Sequence, residues 1–223
     1  MKIKKSNLVL IFTLTAAGFS PNAANAAIVI SEVHPTGGGN ASYQFDWFEL
    51  TNTDPLAALN ITGWQMDDNS NGTGKVAIRG VTSIGPGQTI VFFEGTALGT
   101  TDSTRATAFN TAWGSAFIFG INIGAYGGTG VSLGSVNDAV NIYDSLGVLQ
   151  ANVVFSGATT AVTYDNAAGL NNTTISQLSV AGINGAYSSG GEIGSPGVIP
   201  ETSSLALVAF GAAVATFRRA RRD

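Results

Sequence analysis

Between Ile28 and Phe155 the chain is written in short runs of β-branched and aromatic residues, each ended by Gly, Pro, Asn, Asp or Ser. That pattern predicts strands at Ile28 to Val33, Asp46 to Thr51, Ile61 to Met66, Lys75 to Arg79, Thr89 to Glu94, Ala116 to Phe119, Ala139 to Tyr143 and Val148 to Phe155. No stretch among them keeps apolar residues at helical spacing for long. Gly95 to Ser115 lacks strand periodicity. With the residues up to about 130 it reads as an insertion, holding one helical turn around Arg105 to Asn110. Ser188 to Gly197, rich in Gly and Ser, reads as a flexible linker. Strands at this density close as a sandwich or barrel, so an all-β fold is expected over 27–197.

Two apolar runs fall outside this pattern. Lys2, Lys4 and Lys5 precede Leu8 to Ala17, and Ala24-Asn25-Ala26 places small residues at the −3 and −1 positions of a cleavage site before Ala27. Residues 1–26 therefore read as a signal peptide for a signal peptidase. At the other end, Pro200-Glu201-Thr202 precedes the apolar run Leu205 to Phe217, within a helix expected at about 204–217, and then Arg218, Arg219, Arg221 and Arg222. A helix of that length spans about 20 Å, short of the roughly 30 Å hydrocarbon core. The arginines would stay on the cytoplasmic side. Such a segment suits transient membrane insertion better than permanent anchoring. An ordinary anchor helix is the alternative. The order of parts over 198–223 resembles the PEP-CTERM sorting signal of Gram-negative bacteria, which a membrane protease-transpeptidase, the exosortase, recognises and removes. Thr202 departs from the usual Pro-Glu-Pro. The resemblance implies an exported protein of the cell envelope, outer surface or extracellular matrix.

Charge and composition narrow the chemistry. There is no cysteine and a single histidine. Between the two terminal segments, Lys75, Arg79 and Arg105 face twelve acids, a net −9 against −4 for the whole chain. A nucleic-acid surface needs clustered cations, so no nucleic-acid partner is expected. His34, beside Pro35, reads as a solvated loop residue. With one His and no Cys, zinc sites and thiol catalysis lack their parts, and a Ser-His-Asp arrangement would have to use His34 without a Gly-x-Ser-x-Gly elbow. No enzymatic activity is expected, and the outsider is a hydrolase using paired carboxylates, Asp46 with Glu49 or Asp67 with Asp68. Glu49 reads as a partly buried carboxylate bonded to backbone amides, and Trp47 and Trp64 as packing residues. Asp67-Asp68-Asn69-Ser70-Asn71-Gly72 fits the first half of a calcium loop, with Asp67, Asn69 and Asn71 as ligands. The twelfth position is Ile78, so Asp46 or Asp138 would have to close the site. The competing reading is a polar hairpin turning at Asn71-Gly72. Calcium is the one cofactor the sequence suggests.

Several segments carry a second resemblance. Ile28-Val29-Ile30-Ser31-Glu32-Val33-His34-Pro35, Asp46-Trp47-Phe48-Glu49-Leu50-Thr51-Asn52 and Leu59-Asn60-Ile61-Thr62-Gly63-Trp64 resemble, in order, the opening strands of the lamin tail domain. Gly85-Pro86-Gly87, the hairpin Asn137 to Gly147 and Gly194-Ser195-Pro196-Gly197 resemble its later turns and terminal signature. The resemblance implies an immunoglobulin-like β-sandwich and a non-enzymatic accessory or binding role. The leading expectation is a surface or matrix protein associated with biofilm exopolysaccharide. The alternative is a carbohydrate-binding module that stacks an extracellular polysaccharide on exposed Tyr43, Trp113, Tyr126 or Tyr187.

Overall fold

The computed structural model describes residues 28–35, 43–69, 74–114, 117–127, 131–134, 136–166 and 174–198. Its first half runs β1 (Ile28–His34), β2 (Trp47–Asn52), β3 (Leu59–Asn60), β4 (Gln65–Asp67), β5 (Val76–Arg79), β6 (Ser83–Ile84) and β7 (Thr89–Gly95). Then come α1 (Asp102–Trp113), β8 (Ile123–Gly127), β9 (Val136–Tyr143), β10 (Leu149–Gly157), β11 (Tyr164–Asp165), β12 (Tyr187–Ser189) and β13 (Glu192–Gly194). Nine strands form one sheet in the order β10-β9-β4-β5-β8-β7-β2-β1-β11, with β3–β6 and β12–β13 as separate pairs.

Alternation along the strands explains how the sheet doubles over. Ile30, Phe48, Leu50 and Phe92 from one half meet Met66, Ile142, Val153 and Phe155 from the other in one apolar core. Burying such side chains stabilises by about 1.5–3 kcal/mol each. Segment 174–178 spans the open edges, Ile175 N donating to Val154 O on β10 and Asp165 N on β11 donating to Gln177 O. The result is the expected all-β, immunoglobulin-like sandwich.

Segment 95–130 differs from the expected insertion. β7 and β8 are parallel neighbours, and every other pairing in the sheet is antiparallel. A parallel pair needs a crossover of a dozen or more residues. Residues 96–122 supply it, and α1 within them covers the outer face of β2 and β7. Ala106, Phe109, Ala112 and Trp113 pack there on Phe45, Trp47, Val91 and Phe93. The expected single turn at Arg105 to Asn110 is thus a 12-residue helix. The strand expected at Ala116 to Phe119 is not in the sheet. Phe117 joins the outer cluster, Phe119 makes an isolated bridge to Ile123, and Ile123–Gly127 is the strand. The strand expected at Ile61 to Met66 is broken by a turn at Thr62-Gly63.

Candidate functional site

The polar cluster on the outer face of β1 begins with a bulge. Ile28 and Ile30 point into the inner core, and strict alternation would send Glu32 there as well. The pairing with β2 shifts between Ile30 and Glu32, leaving Ser31 as the extra residue. Parity flips, so Val33 points inward and Glu32 and His34 point outward. Asn166 secures the bulge, its backbone N–H donating to Ser31 O at 3.0 Å and its Nδ2 to Ile30 O at 2.7 Å. On β2 the same outer face carries Trp47, Glu49 and Thr51. Glu32, His34, Glu49 and Thr51 are all buried.

What covers them is the segment 186–198, which contains the expected flexible linker Ser188 to Gly197. It is instead a built strap. β12 and β13 pair across Gly190-Gly191, whose φ values of 58° and 88° suit a two-residue hairpin turn that Gly adopts without strain. Ser189 Oγ donates to Ala112 O at 2.8 Å and Tyr187 OH to Trp113 O at 3.3 Å, fixing the hairpin to the end of α1. Ser195 N donates to Glu32 Oε1 at 2.8 Å and Gly197 N to Glu49 Oε2 at 2.6 Å. Tyr43 OH donates to Glu192 Oε2 at 2.7 Å while accepting from Trp47 Nε1 and Trp113 Nε1. Gly194 lets the strap lie flat: a Cβ there would stand 2.7 Å from Glu32 Oε1 and 2.9 Å from the Trp113 ring.

The electrostatics follow from burial. Glu32 is pushed up to about 8, chiefly by desolvation, with Asp165 adding like-charge repulsion; donation from Thr163 and Ser195 opposes the rise and loses to it. Both donors bond Oε1, and among the described residues Oε2 has no hydrogen-bond partner. That asymmetry suits a neutral carboxyl protonated on Oε2. Glu49 is raised as well, by burial first and by Glu32 second, although Ser31 Oγ donates to it at 2.6 Å. Burial lowers His34 to about 4. Its ring stacks on Trp47 at 5.7 Å, its Nε2 lies 4.0 Å from Glu192 Oε2, and neither ring nitrogen is hydrogen-bonded among the described residues. The expected solvated histidine is therefore a buried neutral one.

A family model for the lamin tail domain matches residues 21–180. The chain belongs to the lamin tail domain family. The comparisons with curated proteins and with solved structures return no match. In this lamin tail domain the matched region holds both acids, Glu32 and Glu49, and stops before the strap that they hold.

The remaining sequence candidates are dispersed over the lamin tail domain. Asp46 Oδ2 accepts from Leu133 N at 2.9 Å, whereas Glu49 holds the strap, so these two carboxylates serve different segments. Asp67 is buried on β4, Asp68 is half-buried, and Asn69 is exposed. Asn69 N donates to Asp138 Oδ1 at 3.0 Å, and Asp138 also accepts from Ala139 N and Gly134 N. The acid that would close a calcium loop does sit beside Asn69, bonded to backbone amides. Among the described residues no group of three or more His, Cys, Asp or Glu side chains is placed to hold a metal ion. Asn71 lies outside the described residues, as do Ala24, Ala26 and Ala27, Pro200, Glu201 and Thr202, and the four terminal arginines. No helix among the described residues is long and apolar enough to cross a membrane. Tyr43, Trp113 and Tyr126 are buried and Tyr187 half-buried, so the expected stacking platform is not on the surface. Trp47 and Trp64 are packing residues, as expected.

Arg79 is the functional-looking residue that strand patterning passed over. Its Nε and Nη2 clasp Asp102 at 2.6 and 3.0 Å, and Nη2 also donates to Thr96 O at 2.7 Å. It ties β5 to the first turn of α1, where an acid also complements the helix dipole. The only signal in the sequence was scarcity: Arg79 is one of three cations between the terminal segments.

Proposed function

We propose that this lamin tail domain is a non-enzymatic exported module of the cell surface or extracellular matrix, delivered by a signal peptidase and an exosortase. The observation that carries the reading is the order Pro200-Glu201-Thr202, apolar run, arginine cluster at the end of the chain. Two structural facts support it. Among the described residues every strand of the nine-stranded sheet lies between Ile28 and Asp165, and the β12–β13 pair reaches Gly194, all inside the expected mature span 27–197. The expected processing would therefore leave every described strand in place. The non-enzymatic part is supported by the use of the buried groups: His34 is closed off from solvent, and Glu32 and Glu49 hold backbone amides. Exopolysaccharide is the neighbour expected for such a product.

Intact mass of the protein recovered from its native cells and medium tests this directly. The expected product starts at Ala27 and ends near Pro200 to Thr202, and extra mass at the new C-terminus would identify what is attached. A product that retains Arg218 to Asp223 would leave a plain anchor and remove the sorting reading.

A further inference from the structure

We propose that residues 186–198 form a detachable strap, latched to the outer face of β1 and β2 by Glu32 and Glu49 in their protonated form and released when these carboxyls ionise. The geometry is that of a latch. Both acids come from the sheet and both accept from strap amides, those of Ser195 and Gly197, while upstream Ile193 exchanges backbone hydrogen bonds with Ala161 and Thr163. The groups facing them are nearly all acidic: Glu32 and His34 from β1, Glu49 from β2, Asp165 from β11 and Glu192 from β13, with Tyr43 bonded to Glu192. The described salt bridges of Arg79 and His34 place no Lys or Arg against Glu32 or Glu49. An ionised Glu32 is thus buried beside other acids with Oε2 unbonded, and lifting the strap is the shortest route to water for it. The strap amides bond a carboxylate better than a carboxyl, which works against release. Both acids are nevertheless fully buried beside other acids, with no described salt bridge bringing a Lys or Arg to either, and that cost of ionisation sets the direction.

Release has a mechanical meaning. Closed, the strap is stapled to the sheet at Ser195 and Gly197. Open, the twelve residues from Ala186 to Gly197 would pay out up to about 40 Å of chain. The latch thereby sets whether residues 186–198 lie closed on the sheet or swing free of it. The inference does not rest on the sorting reading, because its readout lies inside the folded domain.

Hydrogen-exchange mass spectrometry of the full chain at pH 6.5 and pH 9, corrected for intrinsic exchange rates, tests it. Peptides covering 186–198 should lose at least tenfold in protection at pH 9 while those covering Thr89–Gly95 keep theirs. Glu32→Gln and Glu49→Gln keep an acceptor that cannot ionise, and each should reduce the loss. Gly194→Ala, which lifts the strap by crowding, should leave 186–198 weakly protected at both pH values. Equal loss across strap and β7 would mean global unfolding and overturn the proposal. So would an unchanged pH response in whichever Gln variant retains the wild-type far-ultraviolet spectrum. If neither Gln variant folds, Gly194→Ala and the wild-type comparison decide, and a strap equally protected in all conditions sinks the idea.

Discussion

Single residues decide how closely the layers of this domain approach. Gly124 on β8 is the sharpest case: an added Cβ would stand 2.6 Å from the Arg79 carbonyl oxygen and 2.7 Å from the Phe92 ring. The first neighbour is sheet backbone and cannot retreat as a flexible side chain does. Gly124→Ala should cost about 3 kcal/mol, the upper end of ordinary overpacking, read as a lowered urea midpoint at unchanged m-value. The Arg79–Asp102 pair acts differently. Its carboxylate is nearly buried, so Asp102→Ala leaves the guanidinium without its partner beside α1. A double-mutant cycle of Arg79→Ala and Asp102→Ala should give a coupling of about 1–3 kcal/mol; additive losses would show the clasp to be incidental. His34 and Glu32 were visible in the sequence as residue types. Their burial together was not, because a bulged residue turns both to the outer face and a strap more than 150 positions away covers it.

At the scale of elements, α1 shows how much tertiary context supplies. Its sequence is rich in Ser, Thr and Asn, residues with modest helix propensity, and carries few apolar positions. It exists because the parallel β7–β8 pair demands a crossover and because Phe109 and Trp113 find an aromatic bed in Tyr43, Phe45, Phe117 and Tyr187. A peptide of residues 102–113 should be unstructured in water by circular dichroism, as short isolated helices are marginal even for better formers. In the whole domain Phe109→Ala should cost about 3–5 kcal/mol in thermal or urea unfolding. Failure of either expectation would mean that local propensity, not packing, builds the helix. The strap makes the same point from the other side. Gly190-Gly191 looks like linker composition, and pairing of its flanks turns it into a hairpin.

For the whole molecule, the buried ionisable groups set opposing pH dependences. Glu32 rises from 4.5 to about 8 on folding, so its contribution is complete below pH 4.5 and is lost as pH climbs to about 8. His34 falls from 6.5 to about 4, so its contribution is complete above pH 6.5 and is lost as pH drops to about 4. Between roughly pH 4.5 and 6.5 the slopes of Glu32 and His34 have opposite signs and offset one another, leaving the fall that Glu49, also raised, contributes. From 6.5 to 8 the opposing slope of the histidine is gone, both acids act, and stability should fall more steeply. Urea denaturation across pH 4 to 9 should show that decline. In Glu32→Gln it should be shallower, and a rise in wild-type stability over pH 6.5 to 8 would contradict the placement of these acids.

The amino-acid sequence by itself determined the sandwich. Alternating apolar residues with turn residues between them leave a chain little choice but to bury one face of each strand, and segments such as Ile28 to His34 and Asp46 to Asn52 carry that instruction locally. It also determined the charge class and the absence of thiol chemistry. Only the tertiary structure decided that the stretch 95–130 becomes a helix and a central strand, since Ile123–Gly127 is short and glycine-laden and acquires strand character from its neighbours. Only the tertiary structure decided the acid latch. Glu32, Glu49, Ser195 and Gly197 lie up to 165 positions apart in the chain. Their meeting depends on a bulge and a doubled-over sheet, and no local pattern encodes a contact made across the fold.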